Sequence, residues 1–334
     1  MRKKLGLCLV MICMLAVLGA CGNNEDASGT AENSASTGTT ATTDQTDTAE
    51  TAEGSTRTIK YLDQEYTVPT EVSRIVITGS MEAMEDALVL DVHPVGAITF
   101  GGEFPEMYAS ITDQAESIGQ KIEPNFETIL SLKPDIILGS TKFKPEVAEQ
   151  LSKIAPFIQV SHIATDWESN LNLLAELTGK QEQAKQEIEQ YKAALTTAQA
   201  ELGDKLENKK VLAVRIRNGQ MYVYPESVFV NPILYGDLGF QVPAEIQAAK
   251  AQEALSVEKF AEMNPDYVFV QFETSENSDT PNALTDLQNN PIIQKTTALK
   301  ENHAFVNVID PLAEGGPAWS RIEFLKAAVE QLSK

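Results

Sequence analysis

A chain of 334 residues is long enough for two domains with full cores. It carries 26 Lys and Arg against 48 Asp and Glu, a net charge of −22, which argues against nucleic acid and anionic lipid as partners of the folded part. Cys8, Cys13 and Cys21 are its only cysteines, so nothing beyond Cys21 can supply a disulfide, a thiolate metal site or a thiol nucleophile.

Arg2, Lys3 and Lys4 precede an uncharged, mostly apolar run over residues 5–20. That run is shorter than the roughly 20 residues of a bilayer-spanning helix and ends in small residues, so residues 1–20 read as a signal peptide. Leu18-Gly19-Ala20-Cys21 matches the bacterial lipobox. The thiol of Cys21 is expected to receive diacylglycerol, with acylation of the new amino end, which would hold the chain on the outer face of the cell membrane. Residues 22–56 are almost all Thr, Ala, Ser, Gly, Asn, Glu and Asp with no large apolar side chain, and read as a disordered acidic tether. Setting aside three basic residues of the leader and seven acids of the tether leaves about −18 on residues 57–334.

The folded part opens on a short hairpin, 58–61 and 66–68 around Asp63-Gln64. Strands are then expected at 74–77, 94–98, 135–138 and 157–160. Helices alternate with them: 81–90 capped by Ser80, 126–132 capped by Asn125, 145–154 and 167–177. The stretch 180–203 is free of Pro and internal Gly, with Ala184, Ile188, Tyr191, Leu195, Ala198 and Leu202 as one apolar stripe. It predicts a helix of about 33 Å, with Gly203 as a left-handed C-cap. Beyond it, strands are expected at 211–216, 221–224, 267–272 and 305–308, and helices at 231–238, 257–263, 284–288, 292–299 and 320–332. Alternation on both sides of the long helix gives an α/β fold: two Rossmann-like lobes with mostly parallel sheets, an N-terminal lobe over 57–178 and a C-terminal lobe over 204–334, joined by one rigid helix over 179–203.

A weak internal repeat supports this plan. Residues 125–138, Asn-Phe-Glu-Thr-Ile-Leu-Ser-Leu-Lys-Pro-Asp-Ile-Ile-Leu, run in ungapped register with residues 256–269, Ser-Val-Glu-Lys-Phe-Ala-Glu-Met-Asn-Pro-Asp-Tyr-Val-Phe. Each copy has a capping residue, an acid in the first turn, and a Pro-Asp pair that breaks the helix and starts a strand. With the long helix midway between them, a duplicated lobe accounts for the match.

Enzymatic motifs are missing: the chain has no Gly-rich phosphate loop, no GxSxG and no HExxH. His93, His162 and His303 are far apart and adjoin expected strands, the usual setting of structural histidines. The basic residues are more selective. Lys121 precedes a helix start, Lys142 and Lys144 follow the strand at 135–138, Arg215 and Arg217 alternate at the end of 211–216, and Lys250 lies in a loop before the second repeat. Ligands of open α/β sheets gather outside the carboxyl ends of the strands, so facing lobes would enclose a positively charged cleft, self-repelling until an anion enters.

The lipobox, the tether, the lobe–helix–lobe plan, Thr178-Gly179-Lys180 and the terminal Gly315-Gly316-Pro317-Ala318-Trp319-Ser320 resemble the iron-siderophore substrate-binding proteins of ABC importers, the type with a rigid interdomain helix. Within that family, Ile77-Thr78-Gly79-Ser80-Met81-Glu82, Val214-Arg215-Ile216-Arg217 and Tyr235-Gly236-Asp237-Leu238-Gly239 are similar to the Bacillus lipoproteins that bind ferric bacillibactin and other tris-catecholates. The resemblance implies a basic triad of Lys121, Lys142 and Arg217 around the catecholate oxygens, with further contacts from Arg215, Lys250 and Gln252. It implies that Glu127 and Glu258, at matching repeat positions, dock onto a membrane permease. It implies no catalysis, no cofactor and no protein ligand to the iron, and a monomer as the working unit. Two positions depart from the pattern: Asn218 where a longer Gln is expected, and Glu103 where a lysine is expected. Two other readings fit the residues: a binding protein for another chelate (hydroxamate, citrate-type, haem or corrinoid), and a cell-surface hydrolase working through carboxylates.

Overall fold

The computed structural model describes residues 55–203 and 208–334. The leader, Cys21 and nearly all of the expected tether lie outside the described residues. β1 (Thr56–Tyr61) and β2 (Gln64–Pro69) form the antiparallel opening hairpin. The first lobe then runs β3 (Ile75–Thr78), α1 (Met81–Leu90), β4 (Gly96–Ala97), β5 (Glu116–Ser117), the hairpin β6 (Gly119–Gln120) and β7 (Glu123–Pro124), α2 (Phe126–Ser131), β8 (Ile136–Ser140), α3 (Pro145–Ser152), β9 (Phe157–Val160) and α4 (Trp167–Thr178). Its sheet has the order β5-β4-β3-β8-β9 and every pair is parallel. β3 and β8 are buried on both faces, which is why they read as continuous apolar runs.

α5 (Gln181–Leu202) follows, with Ala184, Ile188, Tyr191, Ala198 and Leu202 buried along the expected stripe. The second lobe runs β10 (Val211–Arg217), β11 (Gln220–Val223), a π-helical turn (Pro232–Asp237), α6 (Ala244–Ala248), β12 (Glu253–Leu255), α7 (Val257–Met263), β13 (Tyr267–Phe272), α8 (Ala283–Gln288), α9 (Thr297–Lys300), β14 (Ala304–Val306) and α10 (Ala318–Leu332). This sheet, ordered β12-β11-β10-β13-β14, is parallel across β10, β13 and β14 but antiparallel at β11 and β12. The reversal comes from Asn218-Gly219, whose φ values of +47° and +76° make the tight turn that joins β10 to β11.

Four local expectations need correction. Gly203, at the end of α5, is right-handed, φ −47° and ψ −61°; the left-handed glycine is at the other end of that helix, Gly179, φ +71°, which ends α4. The helix expected over 231–238 is a π-helical turn, opened by Pro232, which has no amide N–H to donate. The helix expected over 292–299 is broken at Thr296, which is extended (ψ 155°) between a 3₁₀ turn and α9. The last strand stops at Val306, because Asn307 turns left-handed with φ +50°.

The repeat extends further in space than in sequence. The Asp135 carboxylate accepts from the backbone N–H groups of Ser73 and Arg74, both at 2.8 Å, just ahead of β3. Asp266 accepts from the backbone N–H of Lys210 at 2.9 Å, just ahead of β10. In each lobe the Asp of Pro-Asp therefore pins the neighbouring parallel strand, which the Ile75↔Ile136 and Val211↔Tyr267 registers continue.

Two devices couple the lobes. Lys180, the residue that opens α5, donates from Nζ to the carbonyls of Leu90 (2.5 Å) and Asp91 (2.9 Å) in the first lobe. Further along, Tyr191 donates its hydroxyl to Asp237 (2.6 Å) in the second. The Arg321 guanidinium of α10, 2 % exposed, lies over the rings of Trp167 (5.0 Å) and Tyr191 (5.6 Å), pairs with Asp237 and donates to the Ala164 carbonyl (3.0 Å). One side chain thus ties α4, α5, the π-helical turn and α10 together.

The second device is a helix cap supplied from the other lobe. α10 has no cap of its own, since Pro317 stands at that position. Asp86 of α1 accepts instead from the N–H of Ala318 (3.2 Å), and Glu85 accepts from the N–H of Ser320 (3.2 Å), the Ser320 hydroxyl and the N–H of Glu314 (2.6 Å). Burial pushes the Glu85 carboxyl from its ordinary 4.5 up to about 8, against the hydrogen bonds it accepts. The folded protein therefore keeps a proton that the unfolded chain releases near pH 4.5. Stability is expected to fall as pH rises from about 4.5 towards about 8, by roughly a few kcal/mol in all. Chemical denaturation across that range should show a smaller slope in Glu85→Gln than in the wild type, and parallel profiles would speak against the assignment.

Candidate functional site

Between the lobes lies a cavity of ≈ 720 Å³, lined from the first lobe by Lys121, Lys142, His162 and Ile163 and from the second by Arg215, Arg217, Asn218, Tyr224, Lys250, Gln252 and Glu276, among others, with Glu314 at its base. The elements that present these side chains are strand ends. Lys142 follows β8, Arg215 and Arg217 end β10, and Glu276 follows β13. Lys121 sits in the β6–β7 hairpin, whose backbone comes so close to Gly79 that a Cβ there would lie 2.8 Å from the Lys121 carbonyl. Gly79, at φ +68°, is thus required twice over: for its own conformation and for the seat of Lys121.

All six residues expected at the site, Lys121, Lys142, Arg215, Arg217, Lys250 and Gln252, line this one cavity. Lys144 does not; it opens α3. The expectation of a self-repelling cation cluster is corrected, because four of its five cations are paired with carboxylates. Glu314 takes the ammonium groups of Lys121 and Lys142, the second at 3.7 Å, and Glu82 of α1 takes Lys142 at 3.3 Å. Glu276 is shared by two guanidinium groups, each reaching both carboxylate oxygens: Arg215 at 3.0 and 2.9 Å, Arg217 at 2.8 and 2.8 Å. Gln252 accepts from Arg217 Nη1 and from the Tyr224 hydroxyl, both at 2.8 Å. Five cations against Glu82, Glu276 and Glu314 leave the cleft wall net positive on an otherwise acidic protein.

Burial lowers the pKa of Lys142, but Glu314 and Glu82 more than offset it, so its ammonium group stays charged well beyond neutrality. Burial pushes Glu314 up, and Lys121, Lys142 and Arg215 together hold it well below the usual carboxylate range. His162 donates to or accepts from the Thr141 hydroxyl (2.8 Å), and burial, then Lys142, lower its pKa, so it is neutral at pH 7. It belongs to the cavity wall. His93 instead lies between Asp91 and Asp113, and His303 stacks on Tyr267 at 4.4 Å.

The sequence reasoning missed Glu82, Glu276, Glu314, Tyr224 and His162. Glu82 and Glu314 had a signal, since they end or adjoin motifs singled out for other reasons; Glu276 had none. Of the two departures, Asn218 lines the cavity as a left-handed turn residue whose N–H donates to the Glu276 carbonyl (3.0 Å). Glu103 is exposed and is not among the residues that line the cavity. Glu127 and Glu258 are both exposed in the first turn of helices capped alike, Asn125 accepting from the N–H of Thr128 and Ser256 from the N–H of Lys259, both at 3.1 Å. Among the described residues no His, Cys, Asp and Glu side chains gather as metal ligands, and no helix is long and apolar enough to cross a membrane.

A family model described as periplasmic binding protein matches residues 76–307. The iron-uptake system-binding protein of Bacillus subtilis is 47 % identical over 333 residues, 99 % of each chain. The crystal structure of the triscatecholate siderophore binding protein FeuA from Bacillus subtilis, complexed with ferri-bacillibactin, is 52 % identical over 83 % of this chain and 98 % of that one, with a TM-score of 0.80. The iron(3+)-hydroxamate-binding protein FhuD of Bacillus subtilis is more distant, at 24 % identity over 80 % of each chain.

Proposed function

This chain belongs to the periplasmic binding protein family, and from that premise we propose that it captures a ferric catecholate siderophore between its lobes and delivers it to an ABC permease. The observation that carries the reading is the cavity itself: basic side chains from both lobes converge on a space of ≈ 720 Å³ in a protein of net charge −22. The likeness to a protein solved with ferri-bacillibactin supports the catecholate class.

In this reading six catecholate oxygens wrap the iron, so the cargo arrives fully ligated and the protein supplies charge and shape. Lys121, Lys142 and Arg217 face the three negative charges. At an effective dielectric near 20, a cation about 4 Å from one unit charge contributes about 4 kcal/mol before desolvation is subtracted. Arg215, 4 % exposed, stands behind Arg217 and holds Glu276, while Lys250 and Gln252 close the second-lobe wall. The guanidinium and ammonium groups can also lie over the electron-rich rings, adding about 0.5–2 kcal/mol each. The protein acts by binding alone, as a monomer held on the outer face of the cell membrane through lipidated Cys21. Quenching of the fluorescence of Trp167, which lies beside the cleft, tests the reading. Ferric tris-catecholate should quench at far lower concentration than a ferric hydroxamate, and equal or reversed preference would overturn the ligand assignment.

Glu127 and Glu258, exposed at equivalent positions of the two lobes, then serve as the permease contacts. The double change Glu127→Ala with Glu258→Ala is expected to leave chelate affinity unchanged and to stop uptake of labelled ferric siderophore by cells. Normal uptake would remove the docking role.

A further inference from the structure

The cleft already holds an anion of its own. Glu314 pairs with Lys121 and with Lys142, both in the other lobe and both on the cavity wall. Resting on the catecholate reading above, we propose that Glu314 is a resident counter-ion that surrenders these two lysines to the incoming chelate and takes up a proton in their place, so that siderophore capture is coupled to protonation of the cleft.

The geometry leaves Glu314 few other choices. Its side chain is 14 % exposed. Its N–H is held by Glu85, and the N–H of the next residue, Gly315, by the Ser320 hydroxyl at 3.1 Å. The segment is packed in place: Gly315 lies on Phe229 and Val230 and Gly316 on Ala164, so closely that a Cβ at either would clash. A carboxylate stripped of its lysines, buried and beside a trianion, is far more stable neutral.

The other acids facing this point are placed differently. Glu276 loses part of Arg217 to the ligand but keeps both contacts to buried Arg215. Glu82 touches Lys142 only, keeps a hydrogen bond from the Ser80 hydroxyl (3.2 Å) and stands behind the cavity wall. Glu85, held near 8 by burial, carries its proton at neutral pH before and after binding. Tyr108 and Tyr224, raised by burial, stay neutral throughout. Of the cations, Lys121 and Lys142 move to the ligand, Arg217 is shared between the ligand and Glu276, and Arg215, which also favours the charged form of Glu314, stays with Glu276.

Titration calorimetry of the folded protein with a synthetic ferric tris-catecholate, at about pH 7 in two buffers of different ionisation enthalpy, counts the protons. About one proton taken up per chelate is expected for the wild type and none for Glu314→Gln, and the Gln variant should bind about tenfold tighter or more because it no longer opposes the trianion. Binding without proton uptake overturns the coupling and leaves the catecholate reading standing. Uptake that persists in Glu314→Gln but vanishes in Glu82→Gln or Glu85→Gln assigns the proton elsewhere and overturns it too. Failure of the wild type to bind the chelate removes both.

Discussion

Arg217→Glu is expected to weaken ferric tris-catecholate binding by about a thousandfold or more, while circular dichroism shows the fold intact. The change removes a cation that contributes about 4 kcal/mol and adds a repulsion of similar size, and about 4 kcal/mol is already a factor of a thousand in affinity. It also leaves Glu276 with Arg215 as its one guanidinium partner, so the wall becomes two charges more negative and less well neutralised. Lys142→Glu should behave alike from the opposite lobe, where it would leave Glu82 without its cation and set a third carboxylate beside Glu82 and Glu314, the latter keeping only Lys121. Lys142 is 43 % exposed and Arg217 24 %, so neither substitution has to be buried in the core, and loss of folding is not the expected outcome. Unchanged affinity in both variants would leave the proposed site without function.

The largest expected loss of stability comes from Arg321→Met. Methionine keeps much of the volume but removes the charge between Trp167 and Tyr191, leaving Asp237 with the Tyr191 hydroxyl but no cation and the Ala164 carbonyl without its guanidinium donor. Removing one member of a buried ion pair typically costs about 3–5 kcal/mol, and urea denaturation should find about 3 kcal/mol or more here. A change below about 1 kcal/mol would mean that the aromatic and apolar packing at this junction is sufficient without the cation.

The contrast between these two sites shows what the linear chain made legible. Caps, breakers and periodicity are local, so Ser80, Asn125 and Ser256 announced their helices and the apolar stripe of α5 announced its buried face. The repeat was visible because both copies solve the same helix-to-strand joint with Pro-Asp. Basic residues at strand ends could be picked out because such ends line clefts. Their partners could not. Lys121 and Glu314 stand 193 positions apart, and Arg321 and Asp237 stand 84 apart, pairings set by tertiary folding with no trace in spacing. Short elements were lost for the opposite reason. β12 is three residues long and α6 five, too short for any period to emerge.

The cap that α1 lends to α10 has a consequence for how the molecule comes apart. Glu85 and Asp86 are fully buried, and their hydrogen-bond donors all belong to the segment from Glu314 to Ser320 at the opposite end of the chain. Severed from that segment, the first lobe would lose the partners of two carboxyl groups and open to water the face on which α1 packs against α10. The two halves therefore share one buried polar junction, despite each having its own sheet. Unravelling of α10 is therefore expected to loosen the first lobe along with the second.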